Sequence, residues 1–146
     1  MTAVVRGMTI DDYDAVLALW ERSPGVAVTD DDTREGVGAF LRQNPGLSLV
    51  ALEDGLTVGA LLCGHDGRRG YISHLAVSDS HRRRGIAGEL VNRCVARLHE
   101  VGIRKCHVLV FSDNRPAQSF WDASGWLQRA NIAIFSMFTA PDGRDS

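Results

Sequence analysis

The sequence of this 146-residue chain predicts an α/β fold, built as one α+β mixed sheet with helices flanking it. Three observations carry that prediction. Asp54-Gly55 lies between two strand-like runs and marks an antiparallel hairpin. Ile86, Leu90, Val91, Cys94, Val95 and Leu98 fall on one face of a helix at 3.6-residue spacing. Between them, the apolar run of residues 71–77 passes through a short arginine- and glycine-rich loop into that helix. The whole pattern reads βααβββαβαββ over residues 3–140, one domain with a short tail at 141–146.

Taken in order, residues 3–7 read as a first strand. Thr9 then opens TIDD, a helix start with an acid three positions on. Ile10, Tyr13, Val16, Leu17 and Trp20 follow at helical spacing, so residues 10–22 should form an amphipathic helix that ends at Ser23-Pro24-Gly25. A weaker helix is expected at 33–43, with Val37, Phe40 and Leu41 on one face and Pro45-Gly46 stopping it. Residues 47–53 and 57–65 are the hairpin strands. Asp66-Gly67-Arg68-Arg69-Gly70 supplies a turn before the strand at 71–77. The periodic helix after it should stop at Gly102. Residues 106–111 read as a buried strand. Asn114 caps a short helix carrying Ala117, Phe120 and Trp121, and Gly125 ends it. Strands at 126–127 and 132–138 close the pattern, and the tail is expected to fray.

The composition is that of an ordinary globular protein, 45% hydrophobic and 23% charged. A net charge of −2 argues against a general binder of nucleic-acid backbone. No run approaches the length of a membrane span, and the N-terminus has no signal-peptide apolar core. Cys63, Cys94 and Cys106 are widely spaced, lack a CxxC pair and lie in apolar segments, so free buried thiols and a cytoplasmic location are expected. The five histidines show no metal-ligand spacing, and no metal site is expected.

The loop Arg82-Arg83-Arg84-Gly85-Ile86-Ala87-Gly88 has the makings of an anion site. The first N–H groups of a helix lack internal partners, the helix dipole is positive there, and glycine lets backbone donors approach a phosphate. The loop contains neither a P-loop nor a GxGxxG pattern. Read as Arg82-x-x-Gly85-x-Ala87, it resembles the acyl-CoA pyrophosphate motif of the GNAT superfamily of N-acetyltransferases. A second segment, SDNRPAQSFWDASGW, resembles that family's N-x-x-A-x-x-[FL]-Y-x-x-x-G-F stretch through Asn114, Ala117, Phe120 and Gly125. The LWER of the first helix and the GHDGRRGY turn are similar to the small stand-alone, YpeA-like bacterial members.

The resemblance implies an acetyl-CoA-dependent N-acetyltransferase, acting on a small-molecule or peptide amine by direct attack in a ternary complex. A CoA-binding sensor that has lost its chemistry is the alternative. The oligomeric state stays open, a homodimer included. It also implies that the strand before the loop bulges and splays from the next one, with pantetheine held by the backbone of Leu75, Ala76 and Val77. The pyrophosphate would lie on residues 82–88, and Asn114, Ala117 and Trp121 would approach the cofactor arm. Many members use a strand Glu as base and a helix Tyr as acid. Here the strand offers Tyr71, Ser73 and His74 instead, and Trp121 stands at the Tyr position. His74 is the chemically suitable base or a structural histidine, and Tyr71 could donate a proton to CoA. Strict alternation puts Tyr71 and Ser73 on one face and His74 on the other unless a bulge re-aims it. The link at 23–32, with Asp30, Asp31 and Asp32, usually forms an acceptor wall in the family. Its acids could attract a cationic amine or simply favour a helix N-terminus.

Overall fold

A computed structural model describes residues 3–140. Five strands form a single sheet in sequence order: β1 (Val4–Gly7), β2 (Leu49–Glu53), β3 (Leu56–His65), β4 (Gly70–Val77) and β5 (Cys106–Val108). The first three pairings are antiparallel, and β4 pairs β5 in parallel. A parallel pair needs a crossover, and α3 (Ile86–Glu100) supplies it. Helices α1 (Tyr13–Glu21) and α2 (Arg34–Gln43) precede the hairpin, and α4 (Arg115–Ala123) follows β5. The chain divides into two compact units, Met1–Leu109 with the sheet and first three helices, and Val110–Ser146 with α4.

Local chemistry sets the helix ends. Thr9 N–H donates to Asp12 at 2.8 Å in a single 3₁₀ turn, Ile10–Asp12, that leads into α1. Thr33 caps α2 by accepting from Gly36 N–H at 3.0 Å. At the end of α3, Gly102 takes φ 89°, its N–H reaches His99 O, and Ile103 N–H reaches Leu98 O. Those two bonds make a Schellman motif, and the buried Ile103 and Leu98 give it the usual apolar contact.

Helix α1 buries Tyr13, Val16, Leu19 and Trp20 against one face of the sheet, where they join Val50, Ala60, Leu62 and Ala76. Helix α3 covers the other face with Ile86, Leu90, Val91, Cys94 and Leu98. Two strand glycines allow that approach. A Cβ on Gly70 would lie 2.7 Å from a Leu98 methyl, and one on Gly59 would lie 3.2 Å from Leu90. Each such fully buried aliphatic side chain contributes about 1.5–3 kcal/mol.

Two expectations need correction. The strand expected at 106–111 stops at Val108, is half-buried, and leaves Leu109 and Phe111 exposed. Residues 126–127 and 132–138 form no ladder among the described residues, and Phe135 and Met137 are 94% and 88% exposed. Apolar β-branched patterning marks a segment that can pair, but a strand also needs a partner docked in register, which is a non-local condition. The acids at 30–32 form a 3₁₀ turn of their own just before α2, and Thr33 caps that helix. The expected fraying at 141–146 lies outside the described residues.

Candidate active site

Strand β4 is where the sheet opens. Only Gly70, Tyr71 and Ile72 pair with β5, so residues 73–77 have no β5 partner. On the β3 side the register slips: Leu62 faces Ser73 and Ala60 faces Ala76, which leaves Leu61 opposite both His74 and Leu75. This is the expected bulge, and His74 carries its signature with φ 55°. A left-handed non-glycine residue costs on the order of 1–2 kcal/mol, so the surroundings must hold it. They do: Trp20 Nε1–H donates to His74 O at 2.9 Å, and its ring meets the imidazole edge-on at 4.8 Å.

The bulge also changes the expected facing of the strand. Leu62, opposite Ser73, belongs to the cluster around Trp20. Gly64, opposite Tyr71, lies against Phe40 and Asn44. Tyr71, Ser73 and His74 therefore share the α1–α2 face, and strict alternation fails at the bulge. Tyr71 lies in the paired part of the strand, half-exposed, with its ring 5.8 Å from that of His107. Ser73 is the first residue past the last β5 pair.

His74 has a carboxylate partner. Its Nε2 lies 2.9 Å from Asp32 Oδ2, and the two side chains are 20% and 7% exposed. The same oxygen accepts Thr29 N–H at 2.9 Å, and Tyr13 O–H donates to Asp32 O. Burial, and then the Asp32 charge, hold the Tyr13 phenol above its ordinary value, so it stays a donor. A sequence pattern, Thr29-x-x-Asp32, marks the turn, but nothing local points Asp32 at a strand residue 42 positions away.

After β4, residues 78–85 bring the chain to α3. Gly85 caps the helix at φ 77°, in the left-handed region that glycine adopts freely. Among the described residues, the backbone N–H groups of residues 82 to 88 have no acceptor in the protein, so a row of donors surrounds the helix start. A Cβ at Gly85 or Gly88 would meet nothing within 4 Å. Ile86 is buried, while Ala87 and Gly88 are half-buried. The three arginines differ. Arg84 donates to both Glu53 oxygens at 3.0 and 2.8 Å, and His81 lies 3.5 Å from the same carboxylate. Arg82 reaches Val77 O and Asp79. Arg83, at φ 65°, has no partner among the described residues. Glu53 was not visible from sequence as an anchor for this loop; only the fold brings β2 to it.

Leu75 and Val77 are half-buried and Ala76 is buried in the α1–α2 core. In the second unit, Asn114 caps α4 by accepting Ala117 N–H at 3.2 Å. Trp121 is buried. Gly125 takes φ 87°, Trp126 N–H reaches Trp121 O, and the two indoles meet at 4.6 Å. Trp121 is thus the apolar partner of a second Schellman motif as well as an aromatic of α4. Cys63 and Cys94 are buried free thiols, as expected, and Cys106 is half-buried. Burial pushes the Cys106 thiol up to about 12, and contact with Cys63, then burial, pushes Cys94 up as well. Neither supplies a thiolate nucleophile at neutral pH.

The Acetyltransferase (GNAT) family matches residues 13–126, which spans both units. An acetyltransferase of Pectobacterium atrosepticum is 38% identical over 104 residues, covering 71% of this chain and 73% of that protein. An acetyltransferase of Sodalis glossinidius is 33% identical over 130 residues, covering 89% and 91%. Among solved structures, AAC(6')-Iy in complex with the bisubstrate analog CoA-S-monomethyl-acetylneamine superposes with a TM-score of 0.76 at 19% identity, covering 94% of this chain and 99% of that one. With the splayed β4, its bulge and the donor row at α3 already in place, these likenesses settle the family: the chain belongs to the GNAT acetyltransferases.

Proposed function

We propose that residues 3–140 act as one N-acetyltransferase domain that moves the acetyl group of acetyl-CoA to a primary amine by direct attack. The observation that carries this is the unpaired β4 edge at 73–77 leading straight into the partnerless amides of residues 82–88. The edge offers main-chain hydrogen bonds to the pantetheine amides, and the amides offer a positive cradle to the pyrophosphate. Arg83 is free to pair with a phosphate, while Arg82 and Arg84 brace the loop. Asn114, Ala117 and Trp121 complete the proposed cofactor set. A protein of the same fold solved with the bisubstrate analog CoA-S-monomethyl-acetylneamine supports both an acyl-CoA donor and an amine acceptor.

In the reaction, the neutral amine attacks the thioester carbonyl, a C–N bond forms, the C–S bond breaks, and the amine proton must leave. A backbone N–H of the bulged strand polarises the carbonyl, and His74 on the same stretch takes the proton. The proton held by His74 can pass on to the departing sulfur, and Tyr71 and Ser73 are the remaining candidate catalytic residues. The full burial of Cys63 and Cys94 and the raised Cys106 thiol support direct transfer over a cysteine-bound acyl intermediate. Asp30 and Asp31, beside Asp32 on the α1–α2 link, favour a cationic acceptor. We place the protein in the cytoplasm; none of its described helices is long and apolar enough to cross a membrane.

Gly88→Asp tests the cofactor site. Its side chain enters open space and its charge suits a helix N-terminus, so stability should hold. Calorimetry should nevertheless show CoA affinity falling at least tenfold, about 1.4 kcal/mol. Unchanged affinity would remove this reading. Thiol release from acetyl-CoA across a panel of amines then identifies the acceptor, and tight binding without turnover would favour the sensor alternative.

A further inference from the structure

We propose that Asp32 is a positioning residue for acyl transfer, holding His74 in the tautomer whose Nδ1 accepts the amine proton. The inference rests on the acetyl-transfer reading above and adds the group that makes its base competent. It supplies from the α1–α2 link the carboxylate that β4 itself lacks.

Three features of the fold give Asp32 this role. An ionised carboxylate can only accept, so the 2.9 Å contact between Asp32 Oδ2 and His74 Nε2 places the ring proton on Nε2. The lone pair is then on Nδ1, and Nδ1 has no hydrogen-bond partner among the described residues. One nitrogen fixed and the other open is the arrangement a general base requires. Second, both partners are held by separate elements. Trp20 of α1 fixes the His74 carbonyl and ring edge, Thr29 N–H fixes the Asp32 carboxylate, and Tyr13 O–H fixes the Asp32 carbonyl. Third, His74 occupies the part of β4 that has no β5 partner, where the sheet opens. A left-handed residue is retained there, at a bulge that turns the ring onto the α1–α2 face.

Turnover balances without another reactant. As the C–N bond forms, the amine proton passes to His74 Nδ1, and the Asp32 carboxylate compensates the imidazolium charge. The C–S bond then breaks, and the departing thiolate is neutralised by that proton, which returns the ring to its starting form. The groups around the ring are few. Asp32, with Asp30 and Asp31 in its turn, faces it from the link. From α1 come Trp20 and, through Asp32, Tyr13, whose ring carries Arg34 of α2 at 5.1 Å. Tyr71 and Ser73 precede it on β4, and the apolar Leu61 and Leu62 of β3 stand opposite the bulge.

The test combines kinetics with ring NMR. In the wild type labelled with 15N-histidine, long-range 15N–1H spectra at neutral to alkaline pH should show the His74 ring protonated at Nε2; protonation at Nδ1 would overturn the proposal without any variant. In Asp32→Asn, kcat with acetyl-CoA and the best amine of the panel should fall at least 30-fold, with CoA affinity unchanged. The acid limb of its kcat/KM profile should move to lower pH, and Asp32→Glu should recover part of the rate. His74→Gln should remove that limb. A folded Asp32→Asn protein with wild-type kcat and an unmoved limb would show that Asp32 only closes its turn. Absence of turnover in the wild type with every amine would instead fell the acetyl-transfer reading, and this proposal with it.

Discussion

Asn114 shows how much one side chain is asked to do. Its Oδ1 caps α4 through Ala117 N–H, and its amide nitrogen has no partner among the described residues. On the proposed reading that nitrogen donates to the cofactor arm. Asp caps a helix as well as Asn does, so Asn114→Asp should change the unfolding free energy by less than about 0.5 kcal/mol. It should weaken CoA binding at least fivefold in calorimetry, because a donor is lost and a negative charge gained. Asn114→Ala should lose stability as well, by about 1 kcal/mol. Affinity that survives in the Asp variant would leave Asn114 a cap alone. Trp121 has a comparable double placement, filling a helix-end apolar contact with Trp126 while standing where relatives present a phenol. Its indole N–H is a donor and no practical acid, so any proton returned to sulfur must come from elsewhere.

At the scale of elements, the β4 bulge is the feature that the rest of the site depends on. It ends pairing symmetry with β3, places His74 and Ser73 on one face, and coincides with the point where β5 leaves. Trp20 is its main brace: fully buried, it satisfies the His74 carbonyl and walls the imidazole. Trp20→Phe removes the donor and leaves a small cavity. It should cost about 1–3 kcal/mol in urea unfolding and lower kcat more than it raises KM for the amine. The expected loss of stability with an unaltered kcat would show that the bulge holds its shape without the indole. The hairpin and α3 carry less of this burden. Their ends are set by short-range glycine conformations, and their packing is ordinary aliphatic burial.

Across the whole molecule, the link between β1 and the start of α1 makes stability depend on pH. Arg6 donates to both oxygens of Asp12 at 2.8 Å, and Thr9 N–H adds a third bond. The hydrogen bonds from Arg6, outweighing burial and aided by Thr9, hold the Asp12 carboxyl below the usual carboxylate range. A carboxyl lowered on folding stabilises the native state above its unfolded value, and this is lost as pH falls through the lower folded value. Asp12→Asn should therefore reduce the unfolding free energy by about 1–2 kcal/mol at pH 7. The difference should shrink progressively toward about pH 2. Urea titrations at several pH values read this directly, and a gap independent of pH would trace the loss to shape instead of charge.

Much of this was already written in local sequence. The periods of 10–22 and 86–98, the Asp54-Gly55 hairpin, the Asn114 cap and the Gly102 and Gly125 stops each encode contacts within about one or two turns, which periodicity and turn chemistry report directly. The donor row at 82–88 was legible for the same reason, since it is the conformation of consecutive amides. What only the tertiary structure decided lies between elements. Asp32 reads locally as the end of a capped turn, and it meets His74 only because α1 docks on the sheet and the bulge reverses the facing of one residue. Arg84 reads as a phosphate ligand, and the sheet gives it Glu53 instead. Residues 132–138 have a strand's composition, yet composition by itself does not bring a partner strand into register. Spacing in a chain fixes which groups lie near each other within a helix turn or a hairpin; which distant groups meet is fixed by how the sheet is covered.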